Sequence, residues 1–153
     1  IGNLLHIINN RNKKREDQME IVTIFIQNHQ KKLLIQKRSK LQGGKYGITS
    51  GHTLAEETPK QGAIREIREE IGLNIEEHEL KLIYKTEIDN IVYNLYYLKK
   101  EIELPKLTLQ EEEVENVYWY TIDETNNLVK TNKFYDKQIE AFKIFEKYVK
   151  EEM

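Results

Sequence analysis

Thr58-Pro59 opens and Gly72 closes a stretch whose apolar residues recur at helical spacing, and this stretch constrains the chain more than any other. A threonine hydroxyl suits an N-cap, and proline suits the first helical position, where its missing N–H is not needed. Glycine tolerates the left-handed conformation that ends helices, and Asn74 follows it closely. Between these signals Ala63, Ile64, Ile67 and Ile71 build one apolar face for packing on a sheet. At about 100° per residue, the mean direction of Glu66, Glu69 and Glu70 lies roughly 120° from that stripe. Three carboxylates are thus expected to converge on a flank that faces a cleft. Like charges this close resist joint ionisation, and hard, oxygen-seeking cations relieve them. Arg65 lies four residues before Glu69, in position to hold that carboxylate in one rotamer. Against this stands a solvated face with ordinary ion pairs to Lys60, Arg65 and Arg68, in a chain that is 33% charged. Joint spacing with the preceding Gly51 and Glu57, not any one residue, favours the chemical reading.

That spacing has a family likeness. Gly51, five residues, Glu57, seven residues, Arg65-Glu66-Ile67, then Glu69-Glu70 and Gly72-Leu73 resemble the Nudix box at every fixed position. The resemblance implies an α/β fold, an α/β/α sandwich on a mixed β-sheet. It also implies hydrolysis of a diphosphate linkage attached to another moiety, assisted by Mg²⁺, with Mn²⁺ as a substitute. By the same likeness Glu66, Glu69 and Glu70 are metal ligands and Gly51 lends its carbonyl. Glu66 or Glu69 helps deprotonate water, Arg65 orients a glutamate, and Gly51 and Glu57 shape the loop. The metals screen the substrate, stabilise the leaving phosphate and acidify a bound water.

Composition narrows the class. With 153 residues the chain suits one domain, read here as 19–153, preceded by an arm at 1–18. Within that arm residues 4–8 read as a short strand and residues 9–14 as a polar turn; Met19 is an internal start or the arm is native. A net charge of −2 and a pI near 6.2 give no general pull toward nucleic acid or anionic membrane. Mean hydropathy of −0.71, without a long apolar run, argues against a membrane span or an export signal. The absence of cysteine removes disulfides, thiolate metal sites and cysteine nucleophiles. A cytoplasmic enzyme with a small diphosphate substrate is expected, with a homodimer as the default assembly.

Strands are expected at 21–27 and 32–37 about a polar turn, then at 80–88 and 91–98 about Asp89-Asn90, a hairpin signal. Residues 41–47 read as a glycine-containing loop, 101–113 as an acidic stretch broken by Pro105, and 114–120 as a strand with Trp119. A short helix is expected at 123–130. Tyr135, Ile139, Phe142, Phe145 and Val149 recur at helical spacing and predict a terminal amphipathic helix.

Finer likeness points to a branch. Residues 33–39, LLIQKRS, with Ser50-Gly51-His52 are similar to Nudix proteins related to isopentenyl-diphosphate isomerases. Those isomerases use a cysteine for protonation, and this chain has none, which favours hydrolysis. Glu56 stands where glycine commonly precedes the motif glutamate. Arg38 and His52 are candidate substrate contacts, Lys37 a weaker one. Glu111, Glu112 and Glu113 offer a further ligand or base, against a solvated acidic loop as the plainer reading. Tyr93, Tyr96 and Tyr97 offer a stacking surface or, more ordinarily, core. Two other functions stand beside hydrolysis: a Nudix-fold module that binds a nucleotide metabolite without cleaving it, and an isoprenoid isomerase.

Overall fold

A computed structural model describes residues 18–152; the expected strand at 4–8 and turn at 9–14 lie outside them. Seven strands form one mixed sheet: β1 (Met19–Gln27), β2 (Leu33–Arg38), β3 (Tyr46–Gly47), β4 (Thr49–His52), β5 (Lys81–Ile88), β6 (Ile91–Lys99) and β7 (Val114–Tyr120). Among the described residues three α-helices cover it: α1 (Pro59–Ile71), α2 (Ile122–Lys130) and α3 (Ile139–Glu151). The α/β sandwich expected from the sequence is present.

The sheet forks, and the fork makes room for a site. β1 and β2 pair antiparallel at Gln27–Leu33 and then part. Along the freed edge of β1 runs β4, with Val22 opposite Gly51; along that of β2 runs β3, with Gln36 opposite Gly47. The single run 46–52 therefore fills the fork, one half on each strand. Outside it, β6 pairs parallel with all of β1, and β7 pairs antiparallel with β2.

Period-two alternation gives the sheet two apolar faces. On one, Val22, Ile24, Ile26 and Leu34 pack against Ala63, Ile67 and Ile71 of α1. On the other, Phe25, Leu33, Ile35 and Leu95 pack against Phe142 and Phe145 of α3. Phe25 and Phe145 stack with centroids 4.4 Å apart. The stacking surface imagined for three tyrosines is divided between these faces. Tyr96 is buried on the α1 side, its hydroxyl pKa pushed up to about 12 chiefly by desolvation, while Tyr93 and Tyr97 face α3.

Local signals hold. Thr58 and Gln61 form a reciprocal capping box, and Gly72 ends α1 at φ 71°. A Cβ there would meet Thr108 at 3.0 Å, so both conformation and space require glycine. Asp89 and Asn90 take positive φ of 51° and 64°, as a two-residue hairpin demands. The terminal helix begins at Ile139, later than the apolar spacing suggested, because residues 133–138 run beside β3. There Tyr46 N–H donates to the Lys133 carbonyl (2.8 Å) and Tyr135 N–H to the Tyr46 carbonyl (2.7 Å).

Candidate active site

Arg65 is the centre of the motif's geometry. Its Nε and Nη2 donate to the two Glu57 oxygens at 2.7 and 3.1 Å, a bidentate pair. Nη1 donates to Glu66 Oε1 and to Glu69 Oε2, both at 3.0 Å, and Nη2 also reaches the His52 carbonyl at 2.8 Å. Glu57 in turn accepts from the Leu54 N–H at 2.8 Å, and Arg65 holds its carboxyl below the usual range. The guanidinium is stabilised as a cation by Glu57 and then by Glu66. One side chain thereby fixes the loop before α1, the strand end at His52 and the rotamer of Glu66. The glutamate at position 56, where glycine is commoner, is exposed and leaves this arrangement intact.

The three carboxylates do not converge as the helical average suggested. Among the described residues no group of three or more acidic or histidine side chains is gathered closely enough to hold a metal unaided. Arg65 stands between Glu66 and Glu69, and the Glu69 side chain is half exposed. Glu70 lies on the other side, buried at 4% exposure beside Ile67 and Ile71. The reason is angular: seven residues bring Glu70 within about 20° of Ala63, on the apolar stripe. The mean of three directions concealed this.

Burial gives Glu70 its distinctive state. Desolvation raises its pKa well above the carboxylate range, the adjacent Glu66 raises it further, Glu113 adds to this, and the Gln36 amide opposes it. Its Oε2 is buried without a hydrogen-bond partner. Gly51 faces Glu66: a Cβ there would overlap the Glu66 carboxylate and push it from this position. An orphaned oxygen, a second carboxyl beside it and a bare backbone make an oxygen-only donor set suited to a hard cation. Glu66, Glu70 and the Gly51 carbonyl are the residues that fit one.

Gly51 and Glu70 border a cavity of about 850 Å³ in the fork, lined by His52 and Arg38 among others. Both substrate candidates, Arg38 and His52, therefore reach it. Lys37 does not; it pairs with Glu115 at 2.9 Å. Of the acidic stretch only Glu113 lines the cavity. The loop is held there by Gln110 N–H donating to the Glu70 carbonyl at 3.0 Å and by Ser39 N–H donating to the Glu113 carbonyl at 2.9 Å.

Sequence reasoning missed Gln36, Tyr135 and Gln138. Gln36 is the one polar residue in the buried run 33–36 and donates to Thr49 Oγ1 at 2.8 Å. Gln138 accepts from Ile48 N–H (2.8 Å) and donates to the Ile48 carbonyl (3.0 Å) and Ser50 Oγ (2.8 Å), acting as a surrogate peptide across the fork. A glutamine amid buried aliphatics was a readable signal at position 36. Nothing local marked position 138.

The NUDIX domain family model matches residues 17–142, and the chain belongs to the Nudix hydrolase family. An uncharacterized Nudix hydrolase of Listeria innocua is 33% identical over 118 residues, covering 74% of this chain and 70% of that protein. The fold is shared with a Deinococcus radiodurans crystal structure at TM-score 0.69 and 18% identity, over 82% of this chain and 81% of that one. The NUDIX domain of Shewanella oneidensis NrtR, a cocrystal structure with ADP ribose, aligns at TM-score 0.66 and 13% identity, over 86% and 88%.

Proposed function

We propose that this Nudix hydrolase cleaves a nucleoside diphosphate derivative or a similar organic pyrophosphate, with a divalent cation held at Glu66, Glu70 and the Gly51 carbonyl. The observation that carries this is the buried, unpartnered Glu70 oxygen beside Glu66. Glu69 is the third proposed carboxylate ligand and would exchange its bond to Arg65 for the cation. Mg²⁺, or Mn²⁺ in its place, supplies charge screening for the phosphates and a lowered pKa for attacking water. The protein's own part is positional. Glu57 locks Arg65, Arg65 locks Glu66, and Glu66 or Glu69 takes the proton of the water that attacks phosphorus. The bridging P–O bond breaks, and the proton balances the two phosphate products.

His52 and Arg38 are proposed substrate contacts from the cavity wall. Cleavage is favoured over isomerisation because no cysteine is present to supply the isomerases' protonation step, and over mere binding because every catalytic position of the box is kept. The absence, among the described residues, of any helix long and apolar enough to cross a membrane is consistent with a cytoplasmic setting. The test is turnover of nucleoside triphosphates, ADP-ribose, nucleotide sugars, dinucleotides and isoprenyl diphosphates with Mg²⁺ and Mn²⁺, followed by phosphorus NMR. Phosphate-bond cleavage that is lost in Glu66→Gln, Glu69→Gln and Glu70→Gln is expected. Rearranged product without cleavage, or metal-independent turnover, would overturn the reading.

A further inference from the structure

Arg38 carries a buried donor that no acceptor meets. Its guanidinium lies over the Tyr135 ring, 3.8 Å from the centroid. Its Nη1 is buried without a hydrogen-bond partner, and the side chain lines the cavity together with Gln42 and Lys137. A guanidinium does not shed its proton at ordinary pH, so a buried N–H of this kind costs free energy until an acceptor meets it. The ring covers one face, and Nη1, closed off from solvent, still lacks the acceptor that a planar or tetrahedral oxyanion would bring.

The position of this cation separates it from the bond that breaks. Glu66 and Glu70 come from α1 on one face of the sheet, whereas Tyr135 follows Phe134, which packs in the α3 core on the other. The cavity passes through the fork between them, and its volume of about 850 Å³ suits a whole small-molecule ligand rather than a diphosphate alone. Lys137, exposed at the rim, adds positive charge at the same end.

We propose that Arg38, seated on Tyr135 with Lys137 beside it, is a metal-independent subsite for a phosphate monoester of the substrate lying outside the scissile diphosphate. This rests on the diphosphate-cleaving reading for its biological use, though the anion site itself does not. The favoured substrates are then organic diphosphates that carry one further phosphate.

Two measurements test it. In the first, inorganic phosphate is titrated into the metal-free protein under chelator by calorimetry. Binding is expected in the wild type and weakened at least tenfold in Arg38→Met and in Tyr135→Leu. Thermal unfolding of Arg38→Met is expected at or above the wild-type temperature, because Nη1 has no partner to lose. Equal phosphate binding in wild type and Arg38→Met overturns the proposal. In the second, kcat/KM is compared within substrate pairs differing by one phosphate monoester: ADP-ribose and its 2′-phosphate, NADH and NADPH, dephospho-coenzyme A and coenzyme A. A preference of at least tenfold for the phosphorylated member of an accepted pair, carried in KM and abolished in Arg38→Met, is expected. An equal loss on both members assigns Arg38 to the scissile diphosphate and overturns the subsite. If no pair is turned over by the wild type while phosphate binding still depends on Arg38, the anion site stands and its use for these phosphorylated diphosphates is overturned.

Discussion

Arg65 shows how far a single side chain can be understood from spacing. Its position four residues before Glu69 predicted that contact, and the bond is present at 3.0 Å. The bidentate grip on Glu57, eight residues back, follows from the loop before α1 folding over the helix, which spacing does not express. A lysine would keep the charge and lose the fork that holds Glu57 and Glu66 together. Arg65→Lys is therefore expected to lower kcat/KM by roughly 10–100-fold, the ordinary loss when a ligand's supporting partner is removed. Steady-state kinetics at saturating Mg²⁺ check this, and activity within a factor of two would refute the orienting role. Glu66→Gln and Glu70→Gln should each exceed ~100-fold, since they remove the groups that Arg65 only positions. Glu70 itself marks the limit of angular reading. Averaging it with its neighbours hid that its own direction lies beside Ala63, so that it reaches the cavity from the buried side of the helix and not from an exposed flank.

Among the elements, those with complete local signals were legible and those defined by a partner were not. Helix α1 had its cap, its proline, its apolar stripe and its terminating glycine in one run, and the Asp89-Asn90 hairpin was fixed by two residues that tolerate positive φ. Strands β3 and β4 are short, Tyr46–Gly47 and Thr49–His52, and exist because β1 and β2 part and leave edges to be paired. No periodicity in so few residues announces that. The same holds at Tyr135, where the apolar spacing starts but the backbone pairs with Tyr46 and a 3-10 turn over Asp136–Gln138 intervenes before the helix. Since the capping box satisfies the first backbone donors of α1, Thr58→Ala is expected to destabilise the protein by about 0.5–2 kcal/mol. Denaturant unfolding measures it, and an unchanged midpoint would mean that packing alone sets the start of the helix. Ile67→Ala, which empties a fully buried position between α1 and the sheet, should cost about 2–5 kcal/mol in the same assay.

At the scale of the whole molecule, two carboxyls of the motif pull stability in opposite directions with pH, Glu57 through its pairing with Arg65 and Glu70 through its burial. Glu57, lowered by Arg65, contributes stability above the usual carboxylate value near 4.5, and that contribution disappears as pH falls through its depressed value in the folded state. Glu70 is raised, so the folded protein keeps a proton that the unfolded chain releases. Its contribution is present below about 4.5 and is lost as pH rises through the raised value. Metal-free protein should therefore lose stability on the alkaline side of the carboxylate range, and Glu70→Gln, which cannot ionise, should remove that loss. A cation at the Glu66–Glu70 pair stabilises the folded state by mass action and competes with the proton. Mg²⁺ should accordingly raise the wild-type unfolding temperature more at pH 8 than at pH 5, and should leave Glu70→Gln nearly unmoved at both. Thermal unfolding of the two proteins, with chelator and with Mg²⁺, gives all four comparisons. An equal Mg²⁺ shift in wild type and Glu70→Gln would place the cation elsewhere in the cavity and leave Glu70 a buried acid without a partner.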